Sequence, residues 1–406
     1  MADTPVGQGD LAGVAGERVE WHRRRRGLSR RELGALVGHT ERWVCLLETE
    51  GRGALRLDNL ISIARALRLD DLSTLTGRRF TATSLDLPEH PAVPEVRQAL
   101  THALLQPPPE QPPCTLTALE QRIRHAWAAW HVSRTQNTSL GLLLPSLLRD
   151  ATALTRTATG SRIRDTHAMA TRVHLLGQRF AYSVRAMDLA VQFTDRALLS
   201  ATAADSTPLT TLAGWASAMT SLTAHQPQEA EDTALITLRH LPHPATAEES
   251  SLRGALLLFA AMGAAADRRP DEAWTHWKAA EESAQSLGTY VHPETMFGQT
   301  NVAIYAVAVN IECGRTNAAV ASAQQLDPRH MPSANRRAQH FIDLARSHHQ
   351  AKDRPATRGA LLESVAASRE TIVFNPLGRQ LAHDLVRNAP PDDTEVANLA
   401  QHLGLR

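Results

Sequence analysis

Gly27-Leu28-Ser29-Arg30-Arg31-Glu32-Leu33-Gly34-Ala35-Leu36-Val37-Gly38-His39-Thr40-Glu41-Arg42-Trp43-Val44-Cys45-Leu46-Leu47-Glu48 is the stretch on which the reading of this chain turns. Gly27 suits a left-handed helix end and Ser29 can cap the helix that follows, in which Leu33, Leu36 and Val37 recur at core spacing. Gly38-His39 supplies a turn, and Thr40 caps a third helix whose Val44 and Leu47 face inward. Before this stretch, a polar, Gly-rich start over residues 1–15 reads as disordered and Glu17 to Arg26 as a first helix with Val19 as its apolar contact. After it, a fourth helix runs from about Asp58 to Leu67 and a short fifth from about Asp70 to Leu75, closed by Gly77. Five short helices make a small domain over residues 16–80.

Composition agrees with helices throughout. The chain has 406 residues, too many for one ordinary core, and only 4% of them are aromatic. An all-α architecture is expected. Cys45, Cys114 and Cys313 are odd in number and far apart, against a disulfide framework or a four-thiolate zinc site. Neither a signal sequence nor an apolar run long enough to span a bilayer is visible, so a cytoplasmic location is expected. Residues 1–80 carry 14 Arg against 11 Asp plus Glu, a net +3, whereas the remainder has 29 basic against 31 acidic residues, a net −2. The excess sits in Arg23-Arg24-Arg25-Arg26 and Arg30-Arg31, a run able to neutralise several phosphates.

The helix positions, the glycines and the apolar spacing from Gly27 to Gly77 resemble the XRE-type (Cro/repressor-like) helix-turn-helix, in the form common in actinobacterial regulators. Glu50 stands where that family commonly has a glycine, with Gly51 following. The resemblance implies double-stranded DNA as partner: the third helix would enter the major groove and the start of the second would touch phosphates. Arg42 would then read a base edge, Arg30 and Arg31 would clamp the backbone, and Thr40, Glu41, Trp43 and Leu46 would complete the face. Trp43 could pack on a thymine methyl or cover the seam with the fourth helix, and packing weighs more. Glu48 repels DNA, which points to an internal hydrogen bond or ion pair. Cys45 reads as a small packed residue rather than a redox sensor.

Prolines cluster between Pro88 and Pro113, so residues 81–114 read as a linker enclosing a possible helix from about Glu95 to Gln106. From Thr115 onward apolar residues recur at helical spacing. Pro227-Gln228-Glu229-Ala230, Pro270-Asp271-Glu272-Ala273, Gly314-Arg315-Thr316-Asn317-Ala318 and Pro355 to Ala360 each open a helix after a turn, 43, 44 and 41 residues apart. A tetratricopeptide-like solenoid over residues 115–406 follows, with a concave surface for a partner. Phe297-Gly298-Gln299-Thr300-Asn301, Arg336-Arg337 and His340 also resemble segments of the same regulators. Gln299, Asn301 and Arg337 are candidates to hold a ligand, although bonding between helices competes for each. Trp215, Trp274 and Trp277 read as core or seam residues.

No phosphate-binding glycine loop, nucleophile elbow or paired-histidine zinc motif is visible, so no enzyme, cofactor or metal is expected. The reading is a dimeric, sequence-specific DNA-binding regulator whose repeats sense a peptide, small molecule or protein. The alternative is an interaction adaptor with a degenerate helix-turn-helix, which the acidic Glu41, Glu48 and Glu50 would suit.

Overall fold

The computed structural model describes residues 8–50, 57–67, 69, 75, 88–331, 333–390 and 393–405, and among them every regular element is helical. The chain divides into two units, 1–86 and 87–406. No described helix is long and apolar enough to cross a membrane.

The first unit holds α1 (Gln8–Arg25), α2 (Arg30–Val37), α3 (Glu41–Glu50) and α4 (Leu57–Leu67). Ser29 accepts from the Glu32 backbone while the Glu32 carboxylate reaches back to the Ser29 N–H, so α2 starts in a reciprocal cap. Gly38, at φ 72°, ends it, and Thr40 Oγ1 accepts from the Trp43 amide at the head of α3. Val19, Leu33, Val44, Leu47, Leu60, Ile63 and Leu67 form one core. Two expectations change. Helix α1 begins at Gln8 rather than near Glu17, because Ala15 is buried and Gly16 lets the helix lie against the Leu47 and Glu48 carbonyls of α3. Leu36 is 60% exposed, its place on the core side of α2 taken by Gly34, which packs on the His39–Thr40 backbone. The short fifth helix lies outside the described residues except for Leu75, which is buried.

The second unit is built from helical hairpins. It comprises α5 (Val93–Leu105), α6 (Leu116–Val132), α7 (Gln136–Thr157), α8 (Arg162–Ser183), α9 (Met187–Ala204), α10 (Thr207–Thr223), α11 (Pro227–Leu238), α12 (Ala247–Ala266) and α13 (Pro270–Ser286). It continues with α14 (Gln299–Glu312), α15 (Thr316–Gln324), α16 (Ala334–Gln350), α17 (Arg354–Ala367), α18 (Arg369–Val373), α19 (Pro376–Arg387) and α20 (Thr394–Leu403). One local device recurs five times. Arg185, His225, Arg268, Gly314 and Lys352 each adopt positive φ near 60–70°, and two residues later the next helix begins. In each case the amide after the left-handed residue donates to the carbonyl five residues back, for example Arg269 to Ala264 at 2.8 Å and Arg315 to Asn310 at 2.8 Å. These Schellman closures pair α8 with α9, α10 with α11, α12 with α13, α14 with α15 and α16 with α17. The turns expected at Pro227, Pro270, Gly314 and Pro355 are four of them, and the tetratricopeptide-like array is the architecture observed.

Helix α5 corrects the linker expectation for 81–114. Val93, Val96 and Leu100 enter the main core, Arg196 donates to the Leu100 carbonyl at 2.6 Å, and Arg97 pairs with Asp188. Apolar positions on one face of α5 make it part of the repeat unit, despite the prolines that flank it.

The array also closes on itself. Thr135 makes no side-chain cap at the head of α7, and the Glu370 carboxylate takes that role from 233 residues away, accepting from the Asn137 N–H at 2.7 Å, the Thr138 N–H at 3.3 Å and the Thr138 hydroxyl. Gln136 Nε2 donates to Thr371 Oγ1 at 2.9 Å and Ser368 Oγ to Gln136 Oε1 at 2.8 Å. An early helix of the unit is thereby clasped to a late one.

Candidate functional site

On the first unit, the face at issue is the exposed side of α2, the Gly38-His39 turn and the first turn of α3. What holds it in place is Glu48. Its side chain is fully buried and receives Arg23 of α1 through two bonds, Nε at 2.6 Å and a second nitrogen at 3.0 Å, and Arg30 of α2 through Nε at 2.7 Å. Burial pushes the Glu48 carboxyl up, but the hydrogen bonds and charges of Arg23 and Arg30 outweigh it and hold the group below the usual carboxylate range. Three helices are thus tied at one carboxylate, as the internal ion pair expected of Glu48 requires.

Of the arginine run only Arg23 is buried, and the other three stay exposed while each meets a partner within the unit. Arg23 is buried on Glu48 and on the Leu28 carbonyl, Arg24 pairs with Glu20, Arg25 lies over the Trp21 ring, and Arg26 donates to the Ala66 carbonyl. Consecutive helical residues point about 100° apart, so four adjacent arginines could not form a single phosphate-facing stripe. Arg30 is taken up by Glu48, with a further nitrogen 3.6 Å from Cys45 Sγ, and is about one-third exposed. Arg31 and Arg42 remain exposed and make no ion pair among the described residues. Thr40 and Glu41 are exposed beside them, Leu46 is half-buried, and Trp43 stacks on His39 with ring centroids 3.8 Å apart while packing against the core.

On the second unit, a cavity of about 250 Å³ opens among the first helices of the five hairpins. Arg179 and Tyr182 come from α8, Met219 and Leu222 from α10, Phe259 and Met262 from α12, Tyr305 and Glu312 from α14, and Arg336, Gln339, Asp343 and Arg346 from α16, with Asn375 beyond. All of the lining residues but Asn375 therefore sit on the first helix of a hairpin. Arg179 is 8% exposed, and its guanidinium lies 5.3 to 5.5 Å from the ring centroids of Trp130, Tyr182 and Trp215. It touches Met219 Sδ, its Nε has no partner, and no carboxylate pairs with it among the described residues. Burial, then the charge of Arg336, pushes Arg179 down to about 10. Arg336 sits over the Tyr305 ring at 5.3 Å and donates to its hydroxyl at 3.3 Å. Elsewhere in the wall, Arg346 pairs with Glu312 at 2.6 Å, and burial pushes Asp343 up to about 7.

Gln299, Asn301 and Arg337 do not come together at this cavity. Gln299 is exposed at the head of α14, Asn301 is buried with its carbonyl oxygen unpartnered, and Arg337 borders a separate hollow with His131, Arg134 and Ser333. Of the adjacent arginines the cavity receives Arg336, because the helix turns Arg337 to another face. Arg179 carried little sequence signal: Val173 to Ala181 also holds His174 and Gln178, and it is the structure that shows the stretch to be buried.

No protein-family model and no curated protein matches the sequence. Among solved structures the chain is similar to BtubC (BKLC) from P. vanneervenii, at 15% identity over 62% of this chain and 91% of that one, with a TM-score of 0.37. It is also similar to Bacillus thuringiensis PlcR in complex with the peptide PapR7 and DNA, at 13% identity over 68% of this chain and 96% of that one, with a TM-score of 0.30.

Proposed function

We propose that this chain is a DNA-binding transcription regulator, acting as a homodimer in the cytoplasm, whose helical repeats sense a ligand. The observation that carries the reading is the first turn of α3. Thr40, Glu41 and Arg42 project to solvent from a helix fixed from behind by Val44, Leu47 and the buried Glu48, the arrangement a recognition helix needs. Arg42 has an exposed guanidinium, without an ion-pair partner among the described residues, for a guanine edge, and Arg31 stands at the start of α2 for a phosphate. A two-fold dimer would place two such helices on half-sites about 34–36 Å apart. A mobility-shift titration of the full chain on DNA from upstream of its own gene tests this. Arg42→Ala should weaken specific binding about tenfold to a hundredfold, the worth of one bidentate base contact. Unchanged affinity and selectivity would remove the recognition assignment.

The commitment of Arg23, Arg24, Arg25, Arg26 and Arg30 to internal partners, beside the exposed Glu41 and Glu50, favours a second reading. In it the first unit has lost base reading and the chain is an interaction adaptor. Chromatin pull-down with sequencing separates the two, because an adaptor yields no recurrent sequence motif.

A further inference from the structure

The cavity has a positive end made of two arginines, neither of them ion-paired among the described residues. Arg179 and Arg336 come from different hairpins, their like charges act on each other, and neither has a carboxylate partner among the described residues. The acidic groups of the same wall are otherwise engaged: Glu312 holds Arg346, and Asp343 accepts from Gln339 Nε2 at 3.1 Å. Two arginines held together in a partly desolvated wall cost free energy unless an anion joins them. Arg179 lies among three aromatic rings and Arg336 beside one, and a carboxylate matches the N–H edge of a guanidinium in geometry and charge.

The rest of the wall defines what the carboxylate is attached to. Leu222, Phe259, Met262 and Ile304 contribute apolar lining and Asn335 an amide, whereas the Gln339 and Asn375 amides are taken up by each other, by Asp343 and by the Gly378 N–H. The open-mouthed space of about 250 Å³ holds about eight waters at the share of volume each takes in the liquid. A single-ring organic acid, or the last residue or two of a peptide, fills it.

We infer that this cavity binds a ligand through a terminal carboxylate clamped between Arg179 and Arg336, with an apolar body against Phe259, Met262 and Leu222. The inference deepens the sensing half of the proposed function and rests on that reading only for the consequence at DNA. Two sources share this chemistry, a free aromatic acid and the C-terminus of a short peptide.

Calorimetric titration of the full chain distinguishes them, with phenylacetate and its neutral amide as one pair and acetyl-Leu-Phe and its C-terminal amide as the other. At least one acid should bind, and its amide should bind about tenfold or more weakly, as loss of a charge-assisted pair implies. Preference for phenylacetate identifies the free acid as the source, and preference for the dipeptide the chain terminus. Arg179→Met should abolish binding. Because Arg179 is buried and its loss could compromise folding, Arg336→Gln, at a half-buried position, serves as the second variant and should weaken the acid at least about tenfold while leaving the amide unchanged. Tryptophan fluorescence from Trp130 and Trp215, beside Arg179, should change on binding of the acid only. Equal affinity for acid and amide, no binding of either acid at about 1 mM, or an Arg336→Gln protein that binds as wild type would each overturn the inference. Arg42→Ala should leave the titration unaltered, so failure of the DNA reading and failure of this one are separable.

Discussion

Glu48 shows how much of the first unit depends on one residue. Its carboxylate joins α1, α2 and α3 through Arg23 and Arg30, and Arg23 is too buried to relax into water if the charge is removed. Glu48→Gln preserves the shape and leaves Arg23 unpaired, so it should destabilise the unit by about 3–5 kcal/mol, the usual effect of breaking a buried pair from one side. Amide hydrogen exchange in α1 to α3 would report it. The pH dependence has a definite sign. A carboxyl held below its unfolded value contributes stability above the ordinary carboxylate range, and that contribution disappears as pH falls through the depressed value. Acid should therefore lower the protection factors of α1 to α3 in the wild type, relative to intrinsic exchange at the same pH, and have less effect on Glu48→Gln. Sequence alone already marked Glu48 as an internal residue from its position. It could not find the partners, since Arg23 lies 25 residues away within a run of four equivalent arginines.

Among elements, the hairpin is the unit that repeats, and its two determinants differ in visibility. The turns are local: a left-handed residue, one connecting residue, then a helix start often marked by proline. That is why the periodicity starting at Pro227 was legible. The approach of one helix to the next is not local. Gly177 in α8 lies under the Phe193 ring of α9, and Gly254 in α12 under the Phe297 ring, so that a methyl group at either would overlap an aromatic carbon. Gly177→Ala improves helix propensity by about 1 kcal/mol in isolation. Here it should still destabilise the repeat unit, by about 1–3 kcal/mol net, because a buried ring must move. Thermal unfolding of the full chain measures the sign, and a rise in midpoint would show that the packing relaxes freely.

At the scale of the whole repeat unit, the clasp between Glu370 and the head of α7 turns a one-dimensional stack into a closed one. Open solenoids gain stability from neighbour to neighbour, whereas this one also joins an early helix to a late one. Glu370→Ala should cost about 0.5–2 kcal/mol, the range of a lost helix cap, and raise hydrogen exchange at the Asn137 and Thr138 amides well before those of α10 or α12 respond. Equal response throughout would mean that closure contributes nothing local. The sequence by itself determined the helical class, the capped helix-turn-helix from Ser29 to Glu48 and the hairpin period, because caps, turns and 3.6-residue periodicity act over a few neighbouring residues. Only the tertiary structure decided which arginines stay free, that α5 belongs to the repeats, that residue 370 caps a helix starting at 136, and that Arg179 and Arg336 share a cavity. Those facts depend on how helices rotate about their axes and where a superhelix closes, and such angles are set by packing between residues far apart in the chain.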